Sequence, residues 1–241
     1  MRAMQAGFAA LFLATAALFA QAPDEPRFEV ASVKPTSPDQ LNGSSGGKSG
    51  NGRLTMNNVT LKRCIMGAFG IGPNQIAGGP PWLDSDRYEI AAVAEKPVGD
   101  KELNLMLQSL LAERFQLRVH RETRMVAAYV LGVAKNGPKL QPSRNNKDAS
   151  TRSGHSRIEA KGITMKRLAE VLSRQMDLPV VDQTGIEGSF DLTLEWAPDG
   201  AADSDPSIYT AFQEQLGLRL SSRKMPVEML VIDHAERPSE N

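Results

Sequence analysis

A chain of 241 residues, 41% hydrophobic and 23% charged, is long enough for one or two domains with buried cores. Its 28 basic and 28 acidic side chains cancel, which argues against nucleic acid or an anionic membrane surface as the main partner. The single cysteine, Cys64, excludes an intramolecular disulfide, so packing must supply the stability.

The N-terminus reads as a leader. A basic Met1-Arg2 precedes an Ala- and Leu-rich run from Phe8 to Ala20, and Ala20-Gln21-Ala22 fits the small-x-small cleavage rule, giving a signal peptide over residues 1–22. The run is short for a membrane span, and Asp24-Glu25 follow it at once. The expectation is an exported protein, periplasmic or extracellular, with no membrane span after cleavage.

The residues from Arg27 to Lys34 alternate apolar and polar and stop at Pro35, the pattern of a strand. Thr36 to Gly52, rich in Ser, Gly and Asn, reads as a flexible loop; its Gly43–Ser49 stretch lacks the spacing and the strand-to-helix context of a phosphate-binding loop. A strand over Arg53–Asn58 then leads to Thr60 as helix N-cap, with Leu61, Cys64, Ile65, Ala68 and Phe69 on one face. Gly70 and Gly72-Pro73 end that helix, and Gly78 to Asp84 reads as a rigid turn. Next come a strand over Arg87–Ala94, a helix capped by Asp100, and a hairpin of Gln116–Thr123 with Val126–Ala134.

The same order returns after residues 141–156, a polar stretch read as a linker. Arg53 to Arg63 is repeated as Arg157 to Arg167, with Thr60 and Thr164 spaced by 104. The second copy continues with an extended Leu178–Val181, a strand over Phe190–Trp196, a helix capped by Asp205 and stopped by Gly217, and a hairpin of Leu218–Arg223 with Val227–Ala235. The expected fold is α+β: two tandem β-α-β-α-β-β modules, residues 23–140 and 157–241, with helices packed on small mixed or antiparallel sheets. Cys64 stands where the second copy has Leu168, so it reads as a core residue rather than a reactive thiol.

Several runs carry a family resemblance: Phe28–Pro35, Gly78-Gly-Pro-Pro-Trp-Leu-Asp84 through Ile90, Leu110–Thr123, Pro179–Gly185, Gln213–Leu220 and Val231–Asn241. Together they resemble the soil-associated family of exported bacterial proteins, a domain of unknown function often present in many copies per genome. The resemblance implies export and this architecture and no catalytic residues. Similar domains occur fused behind membrane metallopeptidases of the antibiotic-sensor type, which suits sensing or binding in the envelope. A looser likeness, of fold only, is to the short N-terminal domains of secretins and TonB-dependent transporters.

Motifs for chemistry are sparse. His120, His155 and His234 have no second His or Cys at ligand spacing, and there is no Gly-x-Ser-x-Gly elbow. Glu89 and Asp191 occupy matched strand positions and read as solvent-side residues. The candidate contact residues are Lys62, Arg63, Lys166 and Arg167, cations placed in a first helical turn where the dipole disfavours them, and Trp82 in its stiff Pro-Pro turn. No cofactor or metal is expected. The function expected is a non-enzymatic binding module for an envelope protein or extracellular ligand; the alternative is an envelope hydrolase acting on peptide, glycan or ester.

Overall fold

A computed structural model describes residues 25–144, 149–154, 156–197 and 206–238; the leader, His155 and the expected cap Asp205 lie outside them. The first half contributes strands β1 (Val30–Pro35), β2 (Gly46–Gly50) and β3 (Arg53–Thr60), helix α1 (Leu61–Phe69), β4 (Ile76–Gly78), β5 (Arg87–Val93), α2 (Asp100–Arg114) and β6 (Arg118–Val133). The second contributes β7 (Gln141–Pro142), β8 (Ser150–Ser153), β9 (Arg157–Ile163), α3 (Met165–Ser173), β10 (Val180–Asp182), β11 (Phe190–Glu195), α4 (Ile208–Leu216) and β12 (Leu218–His234). The fold is α+β, and its two halves match element for element.

Three sheets follow. One has the order β1-β5-β3-β2, and its counterpart has the order β7-β11-β9-β8. Between them lies β10-β6-β12-β4, built around an antiparallel ribbon that runs from Val133 opposite Leu218 to Arg118 opposite His234. Strand β4 joins β12 in parallel at Leu230–Ile232, and β10 joins β6 in parallel at Tyr129–Leu131. Each long strand therefore starts against its own helices and ends against those of the other half. Leu230 and Ile232 belong to the core of the first half, and Leu131 to that of the second.

This corrects the expected module order. Each half reads β-β-β-α-β-β-α-β, because short β4 and β10 follow the first helix of each copy and each expected hairpin is one strand of 16 or 17 residues. Arg124-Met125 carries no turn chemistry, and Pro226, beside Lys224-Met225, lies within β12 opposite Met125; the break in alternation there marks where the ribbon passes from one core to the other. Two stretches read as loop or linker are also partly strand. Gly-rich β2 pairs with β3 through backbone alone, so no side-chain alternation betrays it. Within residues 141–156, β7 and β8 pair with β11 and β9 as β1 and β2 pair with β5 and β3.

The caps behave as the residue types dictate. Thr60 and Thr164 accept the backbone N–H groups of Arg63 and Arg167 at 3.3 and 3.2 Å. Ser207 caps α4 by accepting the N–H of Thr210. Gly99 precedes α2, leaving Asp100 as an acidic first-turn residue favoured by the helix dipole. Gly70 and Gly217 close α1 and α4 in the left-handed conformation.

Cys64 is fully buried in the first core and Leu168 fully buried in the second. Burial pushes the Cys64 thiol up to about 12, outweighing the pull of nearby Arg63. Native protein should resist iodoacetamide at pH 8 and react once unfolded in guanidinium; modification at equal rates in both states would contradict this burial.

Candidate anion-binding site

The repeated stretch ends each time in a bulge, and the bulge explains the matched carboxylates. Asn58 and Gly162 take positive φ of 53° and 65° just before the capping threonines. Each N–H leaves the strand ladder and is accepted by a carboxylate on the neighbouring strand: Asn58 by Glu89 and Gly162 by Asp191, both at 2.8 Å. The Thr36 hydroxyl also donates to Glu89 at 3.0 Å, and Ser143 plays the matching part at Asp191. Glu89 and Asp191 thus hold backbone in place rather than simply facing solvent. Sequence reading missed this because the acceptor lies on a strand some thirty residues away.

The Gly162 N–H, and after it the Ser143 hydroxyl, hold the Asp191 carboxyl below its usual range. A folded pKa below the unfolded value of about 3.9 means the contribution to stability is complete above that value and fades as pH falls through the folded pKa. Asp191→Asn should therefore lower the melting temperature at pH 7, with the gap to wild type closing below about pH 4. A gap that stays constant down to pH 2 would remove the carboxylate from this role.

The two helices that open with Lys-Arg approach one another across the molecule. Gly72, just beyond α1, lies so close to the Ser173 carbonyl at the end of α3 that an added Cβ would sit 2.2 Å from it. Beside this crossing is a cleft of about 700 Å³ that takes residues from both halves. Lys62 and Arg63 enter it from the first turn of α1, Lys48 from β2, Arg167 from α3 and Arg174 from the C-cap of α3. Arg167 and Arg174 are seven residues apart, two turns of helix, so both project along the same side.

Five cations face two carboxylates among the described lining residues. Lys62 is paired with Asp84 at 2.9 Å, and Asp100 accepts from the Ser49 hydroxyl at 3.3 Å. Arg167 reaches Glu170, one turn on in its own helix, at 2.9 Å. Arg63 donates to the Ser45 hydroxyl at 2.9 Å and has no carboxylate partner among the described residues. The Nε of Arg174 is buried with no hydrogen-bond partner among the described residues, an arrangement that costs on the order of 1–3 kcal/mol. Burial pushes the Arg174 guanidinium down from the ordinary arginine range, and the neighbouring Arg167 adds to that. An oxyanion in the cleft would relieve the repulsion between cations.

The other sequence candidates fall elsewhere. Lys166 is exposed and lines a separate depression with Arg121, Glu170 and Glu228. Trp82 is half-buried against the first core and lies beneath Arg237, whose guanidinium carbon is 5.2 Å from the ring centroid. Arg237 also pairs with Asp86 at 2.7 Å, so the C-terminal segment covers the Pro-Pro turn. Of the five candidates the structure gathers Lys62, Arg63 and Arg167 into one cleft. Lys48 and Arg174 were missed: the first lay in a run dismissed as loop, while the second was visible as the i+7 partner of Arg167.

His120 pairs with Asp233 at 2.8 Å and His234 with Glu236 at 2.8 Å, both at the surface. Among the described residues, no three His, Cys, Asp or Glu side chains gather to hold a metal ion, and no helix is long and apolar enough to cross a membrane.

Fold and site together define an α+β protein whose two halves repeat one order of elements, with a cationic cleft between them. The chain belongs to the family described as a protein of unknown function, DUF3738, whose model matches residues 62–235. No curated protein and no solved structure matches it.

Proposed function

We propose that the chain is an exported, non-enzymatic binding protein that takes an anionic group of its ligand in the cleft between its halves. The observation that carries this reading is the convergence in one cleft of Arg63 and Arg167, from the two copies of one sequence stretch, with the half-buried Arg174. A guanidinium fork suits planar, two-oxygen anions, and a partly desolvated one holds them more strongly than an exposed one does. The leader-like residues 1–22 and the resemblance to exported, multi-copy soil-associated proteins support action outside the cytoplasm, in the periplasm or beyond.

The test is thermal unfolding of the chain from residue 23 onward, titrated with acetate or inorganic phosphate at constant ionic strength. Binding to the folded state raises the melting temperature by mass action. The rise should be present in the wild type and absent in Arg63→Gln/Arg174→Gln. An identical response in the two proteins, or none in either, would overturn the reading. Fractionation of the producing cells, with N-terminal analysis of the recovered chain, checks export; recovery of intact residue 1 from the cytoplasm would contradict it.

A further inference from the structure

We infer that the ligand of this cleft is an anionic amphiphile: a small organic molecule with an oxyanion head and an apolar body. The inference rests on the binding reading above and adds the chemistry of the rest of the ligand. Three of the cations lining the cleft, Lys48, Arg63 and Arg167, are exposed, while Lys62 and Arg174 are half-buried. Apolar residues line the cleft as well. Met56 of β3 and Met66 of α1 are half-buried there, backed by the buried Leu54, Leu103 and Leu107.

A site for a bare inorganic anion would need only the guanidinium and ammonium groups and a volume near that of the ion. This cleft is about 700 Å³, within the range that encloses most of a drug-sized molecule. Met56 and Met66 line it with unbranched and polarisable side chains that adapt to a flexible apolar partner. Leu103 and Leu107 stand one turn apart on α2, so the apolar wall runs along a helix rather than ending at one residue. The apolar lining of the cleft and its charge therefore select different parts of one molecule.

The head could be a carboxylate or a phosphate monoester, since arginine binds both in the same two-oxygen manner. Calorimetric titration of the mature chain with octanoate, octyl phosphate, octanol, acetate and inorganic phosphate separates these contributions. Octanoate or octyl phosphate should bind at least about tenfold more tightly than its short counterpart, a margin equivalent to burying about two methylenes. The tighter of the two names the head. Octanol should bind at least about tenfold more weakly, because it lacks the charge that the guanidinium groups recognise.

Met66→Gln should reduce the gain from the octyl chain while leaving acetate and phosphate binding unchanged. Arg174→Gln should weaken the octyl anion, and Arg174→Lys should recover part of that loss, with circular dichroism confirming that each variant is folded. Equal affinity for octanoate and acetate, and for octyl phosphate and phosphate, would overturn the amphiphile while leaving the anion site standing. Octanol binding as tightly as the octyl anions, or no binding by any anion, would overturn both.

Discussion

Phe115→Ala is expected to destabilise the whole molecule by about 3–5 kcal/mol, and Phe212→Ala by a similar amount, each shifting one common unfolding transition. Both rings are fully buried, one in each core. Phe115 meets Tyr88 edge to face at 5.0 Å, and its carbonyl accepts the N–H of Glu236 at 2.7 Å, just beyond the end of β12. The first core thus includes residues that come from the last strand of the second half. Loosening it removes the support under Leu230 and Ile232, while β6 carries the disturbance back to Leu131 in the second core. Scanning calorimetry should show a single peak in wild type and both variants. Two peaks, only one of them shifted by each substitution, would mean that the halves fold independently and that the shared ribbon does not couple them.

Gly217→Ala should cost about 2–5 kcal/mol, while the formally similar Gly70→Ala should cost only about 1–2 kcal/mol. Both glycines end a helix with positive φ, 63° and 67°, so each alanine is charged for the left-handed conformation. The surroundings differ. A Cβ at Gly70 would meet only the Glu170 carboxylate, at 3.6 Å or more. One at Gly217 would fall 2.1 Å from the Gly137 carbonyl oxygen and 2.9 Å from the Lys139 nitrogen, backbone atoms that cannot swing aside. That turn is also held by the Lys139 N–H donating to the Leu216 carbonyl at 2.8 Å. Urea unfolding of the two variants checks the contrast; equal losses would show that the close approach at Gly217 relaxes freely.

The local grammar of the chain was legible in its residues. Thr60 and Thr164 are caps and Gly70 and Gly217 are stops, because capping and left-handed termination depend on the residue at that position and its immediate neighbours. The α+β class and the equivalence of Cys64 with Leu168 followed from the spacing of apolar residues and from the duplication. Structure is not legible where a strand has no side-chain signal, as in Gly-rich β2, or where a change in alternation mimics a chain reversal, as at Arg124-Met125. Nor is it legible at Glu89 and Asp191, whose acceptor role depends on a bulge in another strand.

The candidate site divides in the same way. The sequence by itself determined that two Lys-Arg pairs open two related helices, since that is a matter of duplication and helix phase. Only the tertiary structure decided that Arg63 and Arg167 share a cleft while Lys166 does not. The close crossing at Gly72 and Ser173, and the exchange of β6 and β12 between the halves, set which side of each helix faces the seam. Those contacts join residues about a hundred positions apart, and no local pattern encodes a distance of that kind.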